Sequence, residues 1–318
     1  MKKILFLMHL QQPGKSEYSP AIFNWYGILE KMGYEVYYHE YDNFNFNQFY
    51  DLIKNNKPDY IFHPTYTMLH PEFIKLREFS KVFLIHSDDD WRFNDFAKLL
   101  IPFSDGAIGY QNDTQSYLNY GASSNYYHRA RWSFNPNTMY FKFKNKEKKY
   151  NLTHVGKLHG EKETSLFKIQ KQGFSVKKID PNFDNYSSYM ECFNDSIASL
   201  CFTSNVLGTS SQSKTRLSEM PFYCILASEP WPKMEMWNME PNKDFILIDN
   251  KGEYVYTLEK IFKDINFRNN MFESGKRVLI SKNTVFHEWN TIMSKIDTDF
   301  KQIDVEDLLK TNYNFLYE

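Results

Sequence analysis

The sequence predicts an α/β protein made of two Rossmann-like, doubly wound domains facing a cleft. Three observations predict it. A continuous apolar run, Ile4–Met8, opens the chain as a strand buried on both faces of a parallel sheet would. Short apolar runs then alternate with helical or turn segments to about residue 140. The alternation restarts after a Lys-rich stretch, Lys142–Lys149. A length of 318 residues accommodates two domains of roughly 150 residues each.

Taken in order, a polar loop from Gln11 to Glu17 leads into a predicted helix, Pro20–Lys31. Its apolar positions Ile22, Trp25, Tyr26 and Leu29 recur at three and four, and Gly33 ends it. Glu35–Tyr38, Tyr60–Phe62, Val82–Ile85 and Gly106–Ile108 read as further short strands. In the second half, Leu152–Val155 reads as a strand, Glu161–Lys171 as a helix and Phe174–Ile179 as a strand. Ser188–Phe193 follows as a short helix, Ala198–Phe202 as a strand, Lys214–Met220 as a helix, and Tyr223–Ala227 and Phe245–Ile248 as strands. Tyr254–Asp264 and Asn269–Lys282 are amphipathic helices, and an acidic, apolar tail runs from Ile303 to Glu318. The expected domains are 1–145, 146–297 and a tail, 298–318, packing back on the first. The cleft between the domains is the expected site, because ligands bind beyond the carboxyl ends of parallel strands.

Composition narrows the function. The chain carries 28 Phe, 23 Tyr and 6 Trp but only 12 Gly. Neither G-x-G-x-x-G nor the P-loop pattern occurs, so the common glycine cradles for phosphate are excluded. The 38 basic against 39 acidic side chains leave a net charge of −1, so there is no global field to hold the chain on nucleic acid or an anionic membrane. Three cysteines, Cys192, Cys201 and Cys224, form no C-x-x-C pair and point to a reducing compartment. The short apolar run after Met1-Lys2-Lys3 reads as a first strand rather than a signal peptide, and no run is long enough to span a membrane. The expected location is cytoplasmic, in a bacterium or encoded by a phage in a bacterial host.

Polar groups collect at predicted strand ends. His9 follows the first strand, His63 the third, and His86-Ser87-Asp88-Asp89-Asp90 the fourth. A carboxylate or imidazole there could take a proton from an acceptor hydroxyl, although a helix cap with solvated neighbours would use the same residues. Asp88-Asp89-Asp90 also matches the short D-x-D metal pattern. In the second half, Val155-Gly156-Lys157-Leu158-His159-Gly160-Glu161-Lys162 runs from a strand into a helix N-terminus. Backbone N–H groups and two lysines there favour an anion. A Ser/Thr-rich loop from Gly208 ends in a helix starting near Ser213 and carrying Lys214, Arg216 and Glu219. Cations with a carboxylate could hold a diphosphate and a ribose diol, though Arg216 and Glu219 could equally be a surface i,i+3 pair.

At these residues the chain resembles GT-B glycosyltransferases, specifically the spore-maturation CgeB-like group and, more distantly, the phage DNA β-glucosyltransferases. The resemblance covers roughly residues 1–297. The pattern strand-Gly-x(2–5)-basic matches Gly156 through Lys162. The pattern [KT]-x-R-x-x-E followed by a buried strand matches Lys214-Thr215-Arg216-Leu217-Ser218-Glu219. A stretch like Lys81–Asp88 carries the catalytic base of the phage enzymes at its final aspartate. Two departures stand out: Ser211 takes the place of the first glutamate of the E-x₇-E pattern, and Gln11-Gln12-Pro13-Gly14 stands where a Gly-Gly loop is usual.

The resemblance implies transfer of a hexosyl or pentosyl group from a nucleotide sugar, a UDP-sugar or a GDP-sugar, with no metal required. Asp88, Asp89 or His9 would act as base. Gly156, Lys157, Lys162, Ser213, Lys214, Arg216 and Glu219 would bind the donor. The acceptor would be a glycan, lipid or protein. The alternatives are a hydroxymethylated DNA base as acceptor, a non-catalytic sugar-nucleotide binder of the same fold, and a phosphate-metabolising enzyme using Asp88–Asp90 with Mg²⁺.

Overall fold

The computed structural model describes residues 1–8, 25–40, 45–64, 71–87, 93–110, 114–123, 126–138, 147–156, 158, 160–179, 191–203, 216–249 and 253–317. The chain divides into two compact units. One comprises Met1–Arg131 with Val285–Glu318, the other Trp132–Thr284.

The first unit holds six parallel strands: β1 (Lys3–Met8), β2 (Glu35–Glu40), β3 (Tyr60–Pro64), β4 (Lys81–His86), β5 (Gly106–Gly109) and β6 (Tyr127–Arg129). Their order is β2-β1-β3-β4-β5-β6. Both faces are covered, which explains why Ile4–Leu7 form an unbroken apolar run. On one face Leu5, Leu7, Ile61 and Val82 pack against Leu76 and against Phe49 and Ile53 of helix α1 (Phe46–Asn56). The Asn45 side chain starts α1 by accepting from the backbone N–H groups of Asn47 and Gln48. Further along, Leu84, Ala107 and Tyr127 pack against Phe93, Ala97, Leu100 and Tyr117, the last on α2 (Thr114–Asn119).

The expected helix over Pro20–Lys31 is only partly within the described residues, and there it is a series of turns. Gly27 sits at φ 73°, a left-handed conformation that breaks α-helical continuity, and its N–H donates to the Tyr38 hydroxyl at 2.9 Å. Trp25, Ile28 and Leu29 are nonetheless buried, whereas Tyr26 is exposed.

The second unit holds β7 (Tyr150–Val155), β8 (Val176–Ile179), β9 (Ser196–Cys201), β10 (Ile225–Ser228) and β11 (Ile246–Leu247), parallel and in the order β11-β10-β9-β7-β8. Helices α3 (Glu161–Lys171), α4 (Arg216–Glu219), α5 (Glu253–Lys263) and α6 (Ile265–Lys282) belong to this unit. Leu166 and Ile169 from α3, Leu258 and Ile261 from α5, and Met271 from α6 form one core with Leu152, Ala198, Leu200, Ile225 and Ala227 of the sheet.

The chain passes between units at Arg131–Trp132 and returns at Thr284–Val285, where the sequence reading set boundaries at 145/146 and 297/298. Burial explains the difference. Phe134 bridges to Thr284 in the second unit, donates its N–H to the Asn283 carbonyl at 2.8 Å and stacks on Phe222. Helix α7 (Val285–Ile296) instead covers the second face of the first sheet, where Trp289 meets Phe6 and Phe62 edge-on at 5.6 and 5.2 Å. Asp297 then pairs with Lys2, and Phe300 stacks on Tyr34 at 6.1 Å. Helix α8 (Val305–Asn312), capped by Asp304, belongs to the same unit. Among the described residues, no helix is long and apolar enough to cross a membrane.

Candidate functional site

In the second sheet the chain runs from β7 to β8 on one side and places β9 on the other. The carboxyl ends of β7 and β9 therefore flank the point where strand order reverses, the usual ligand position in open α/β sheets. Gly156 follows β7, Thr203 follows β9 and Glu229 follows β10.

Gly156 has φ 131°, which an L side chain rarely adopts, and its N–H donates to the Ile179 carbonyl at 3.0 Å. A Cβ at this position would meet Arg216 Nη1 at 2.6 Å. The guanidinium thus lies directly on the glycine, and residues 60 positions apart in the chain form one surface. Gly160 then opens α3, accepting from the N–H groups of Glu163 and Thr164, and Lys162 lies in the first helical turn.

Lys162 is half-buried. Burial, with the Arg216 charge beside it, pushes its ammonium below the ordinary lysine range, against a smaller opposing effect of Glu229. A cation in the first turn of a helix also opposes the helix dipole. Arg216 is itself only partly exposed, and no carboxylate among the described residues comes within 4.0 Å of either cation. Two adjacent, partly desolvated cations at a helix N-terminus form a site that an anion would stabilise.

Three nearby residues were not singled out from the sequence. His154, within β7, is buried, and its Nδ1 lies 3.3 Å from the Leu200 carbonyl oxygen. Burial, then Arg216 and Lys162, push its imidazole down to about 4, so it is neutral at physiological pH. Thr203 donates its N–H to Glu229 Oε2 at 3.0 Å and its hydroxyl to the Pro230 carbonyl at 2.7 Å. The ends of β9 and β10 are thereby tied together, with the Glu229 carboxylate held near Lys162. A polar residue interrupting an apolar strand was the available signal for His154. No local pattern marked Thr203 or Glu229.

The expected donor residues fall into two groups. Gly156, Lys162 and Arg216 come together as described. Glu219 is buried one turn beyond Arg216 on α4, and its charge adds to burial in raising the Tyr223 phenol. Lys157, Ser213 and Lys214 lie outside the described residues, as do all three candidate bases, Asp88, Asp89 and His9, with Asp90 beside them. In the first sheet, His63 lies within β3, and His86, the last residue of β4, is buried with its ring 5.8 Å from Phe93 and 6.3 Å from Tyr117. Both therefore sit inside the strands rather than in the loops after them.

No protein-family model matches the chain, and no curated protein matches it. Solved structures do. An α-glucosyltransferase in complex with UDP-glucose and DNA containing an abasic site superposes with a TM-score of 0.60 at 10% identity, over 92% of this chain and 99% of that one. Anabaena HepE in complex with UDP-glucose gives 0.53 at 12% identity, over 94% and 100%. Sucrose-phosphate synthase from Thermosynechococcus elongatus gives 0.56 at 8% identity, over 94% and 98%. With its two parallel sheets and helices on their faces, the chain has the fold of the GT-B glycosyltransferases.

Proposed function

We propose that this protein is a glycosyltransferase that moves a hexosyl or pentosyl group from a UDP-sugar to an acceptor hydroxyl. The observation that carries this reading is the Lys162–Arg216 pair. It lies at the carboxyl end of β7 with no carboxylate within 4.0 Å among the described residues. The neighbours in complex with UDP-glucose support UDP over GDP as the carrier. The second unit would hold the donor and the first the acceptor.

In the reaction, the acceptor oxygen attacks the anomeric carbon as the bond from that carbon to the diphosphate oxygen breaks. The bond's electron pair leaves with the nucleoside diphosphate, and the hydroxyl proton passes to a base. Lys162 and Arg216 would face the charge that develops on the leaving diphosphate, and Lys157 and Lys214 are the further cations proposed to bind it. Glu219 would hold the ribose. Asp88, with Asp89 and His9 as alternatives, would be the base. A single displacement of this kind inverts the anomeric centre. Side-chain cations would take the place of a metal, so transfer should continue in excess EDTA. The CgeB-like group remains the proposed family.

The test begins with a thermal-shift panel of UDP, UDP-sugars, GDP and GDP-sugars, in which UDP compounds alone should stabilise the protein. Arg216→Ala should then lower transfer by about 10²-fold or more, the cost of removing one group aimed at developing charge. Full transfer by this variant would overturn the reading. A glycan, lipid or protein acceptor fits the near-neutral charge. The DNA-bound α-glucosyltransferase neighbours favour a second reading, a modified DNA base. Binding to duplex DNA that weakens steeply with salt would select it, because phosphate contacts release counterions.

A further inference from the structure

His154 occupies a position where an apolar residue would cost less. It lies in the run Leu152-Thr153-His154-Val155, opposite Leu200 in the register with β9, and its ring packs 5.1 Å from Phe202. A carbonyl oxygen can only accept, so a hydrogen bond to Leu200, whose oxygen lies 3.3 Å away, requires the imidazole proton on Nδ1. Nε2 then keeps its lone pair. That atom is buried and has no partner at hydrogen-bonding geometry, although the Gly156 backbone lies near enough to the ring to favour its protonated form slightly. An unsatisfied buried acceptor is costly to a fold. The charged groups acting on the ring are Arg216 and Lys162, and Arg216 lies on Gly156, two residues further along the same chain segment. A guanidinium has five N–H donors, and a bidentate grip on a phosphate uses only two of them.

We infer that His154 is a positioning residue of the anion site: its bare Nε2 accepts a hydrogen bond from the Arg216 guanidinium when a diphosphate is bound, and so fixes the plane in which that guanidinium meets the phosphate oxygens. The inference rests on the donor-site reading and assigns its geometry. A neutral imidazole is required, since a protonated ring would offer a second donor facing a cation. Burial and the two cations keep the ring neutral through the physiological range.

The experiment is calorimetric titration of UDP into wild type, H154F, H154Q, R216A and the H154F/R216A double variant. Phenylalanine keeps the ring and removes the acceptor, whereas glutamine restores an acceptor at a similar reach. H154F should weaken UDP binding about tenfold, the value of one charge-assisted hydrogen bond, and H154Q should recover most of the loss. In the R216A background, H154F should change the affinity by less than about twofold, since a positioning residue acts through its partner. In wild type, nitrogen NMR should find the Nδ1–H tautomer and a shift at Nε2 on adding UDP, a readout independent of whether any variant folds. An unchanged Nε2 signal, or an equal loss from H154F with and without Arg216, overturns the inference alone. Failure of wild type to bind UDP overturns the donor-site reading together with it.

Discussion

At the scale of single residues, the contact between Gly156 and Arg216 makes two sequence patterns interdependent. Gly156→Ala would place a methyl group where Nη1 now lies and would force alanine to φ 131°. The arginine tip can swing away cheaply; the backbone strain cannot be relieved and should cost about 1–3 kcal/mol. We therefore expect a modest fall in urea midpoint together with a disproportionate loss of UDP affinity. Undiminished affinity would mean that the guanidinium need not lie on Gly156. His154 gives a second residue-scale expectation. Its folded-state value of about 4 lies below the ordinary 6.5, so between those values the unfolded chain binds the proton and the folded chain does not. Stability present above about pH 6.5 is lost as pH falls toward 4. H154Q should lack that part of the acid limb, as acid titration followed by circular dichroism would show. Gly156, Lys162 and Arg216 were legible because glycine before a helix and closely spaced cations leave a local pattern. Thr203 and Glu229 were not, because 26 residues separate two groups that meet only when β9 and β10 pair.

At the scale of elements, most strands announced themselves as apolar runs, and their positions were legible to within a few residues; β6 was missed, because Tyr127-His128-Arg129 carries no apolar run. Helix α7 was not among the expected elements, although Val285, Phe286, Trp289, Ile292, Met293 and Ile296 fall at helical spacing and are all buried. Its destination, though, could not be read locally. It is fixed by Glu288, whose Oε1 lies 2.6 Å from His128 Nε2 and whose Oε2 accepts from Arg131 Nε at 2.8 Å. Burial alone would push this carboxyl up, but His128 and Arg131 hold it below the ordinary glutamate range. Arg131 is the last residue before the chain leaves the first unit, and Glu288 lies one turn after its return. Glu288→Ala would leave a partly buried guanidinium and a buried imidazole without their carboxylate. It should destabilise the first unit by about 3–5 kcal/mol, measured by urea denaturation. A change below about 1 kcal/mol would mean that the charges are solvated and that aromatic packing alone holds α7.

At the scale of the whole molecule, each unit has its own sheet and core, so a ligand of one should be seen first in that one. UDP at about 100 times its Kd should add about 2.7 kcal/mol of stability. Hydrogen exchange should slow at the carboxyl ends of β7, β9 and β10 and in the first turn of α3. Slowing confined to β4, β5 and β6 would place the nucleotide on the other sheet. The two-domain α/β plan was legible because the β-α alternation stops and restarts. Of the composite first unit the sequence reading expected only the tail, 298–318, to pack back on the first domain; that residues 285–297 belong with 1–131 rests on long-range contacts such as Trp289 on Phe6 and Phe62.

That composite has a consequence for how the protein is made. The ribosome completes every strand of the first sheet, and then the whole second unit, before it synthesises α7. During that interval Phe6, Phe62 and Phe83, stacked at 5.0 and 5.5 Å in the finished protein, lack the tryptophan that covers two of them. The second unit is contiguous and can close as soon as it emerges, whereas the first must wait, half-built and adhesive, for Val285–Glu318. A chain arrested before Val285 should therefore be a client of chaperones, and the vulnerable stage of its synthesis is the interval before α7 emerges.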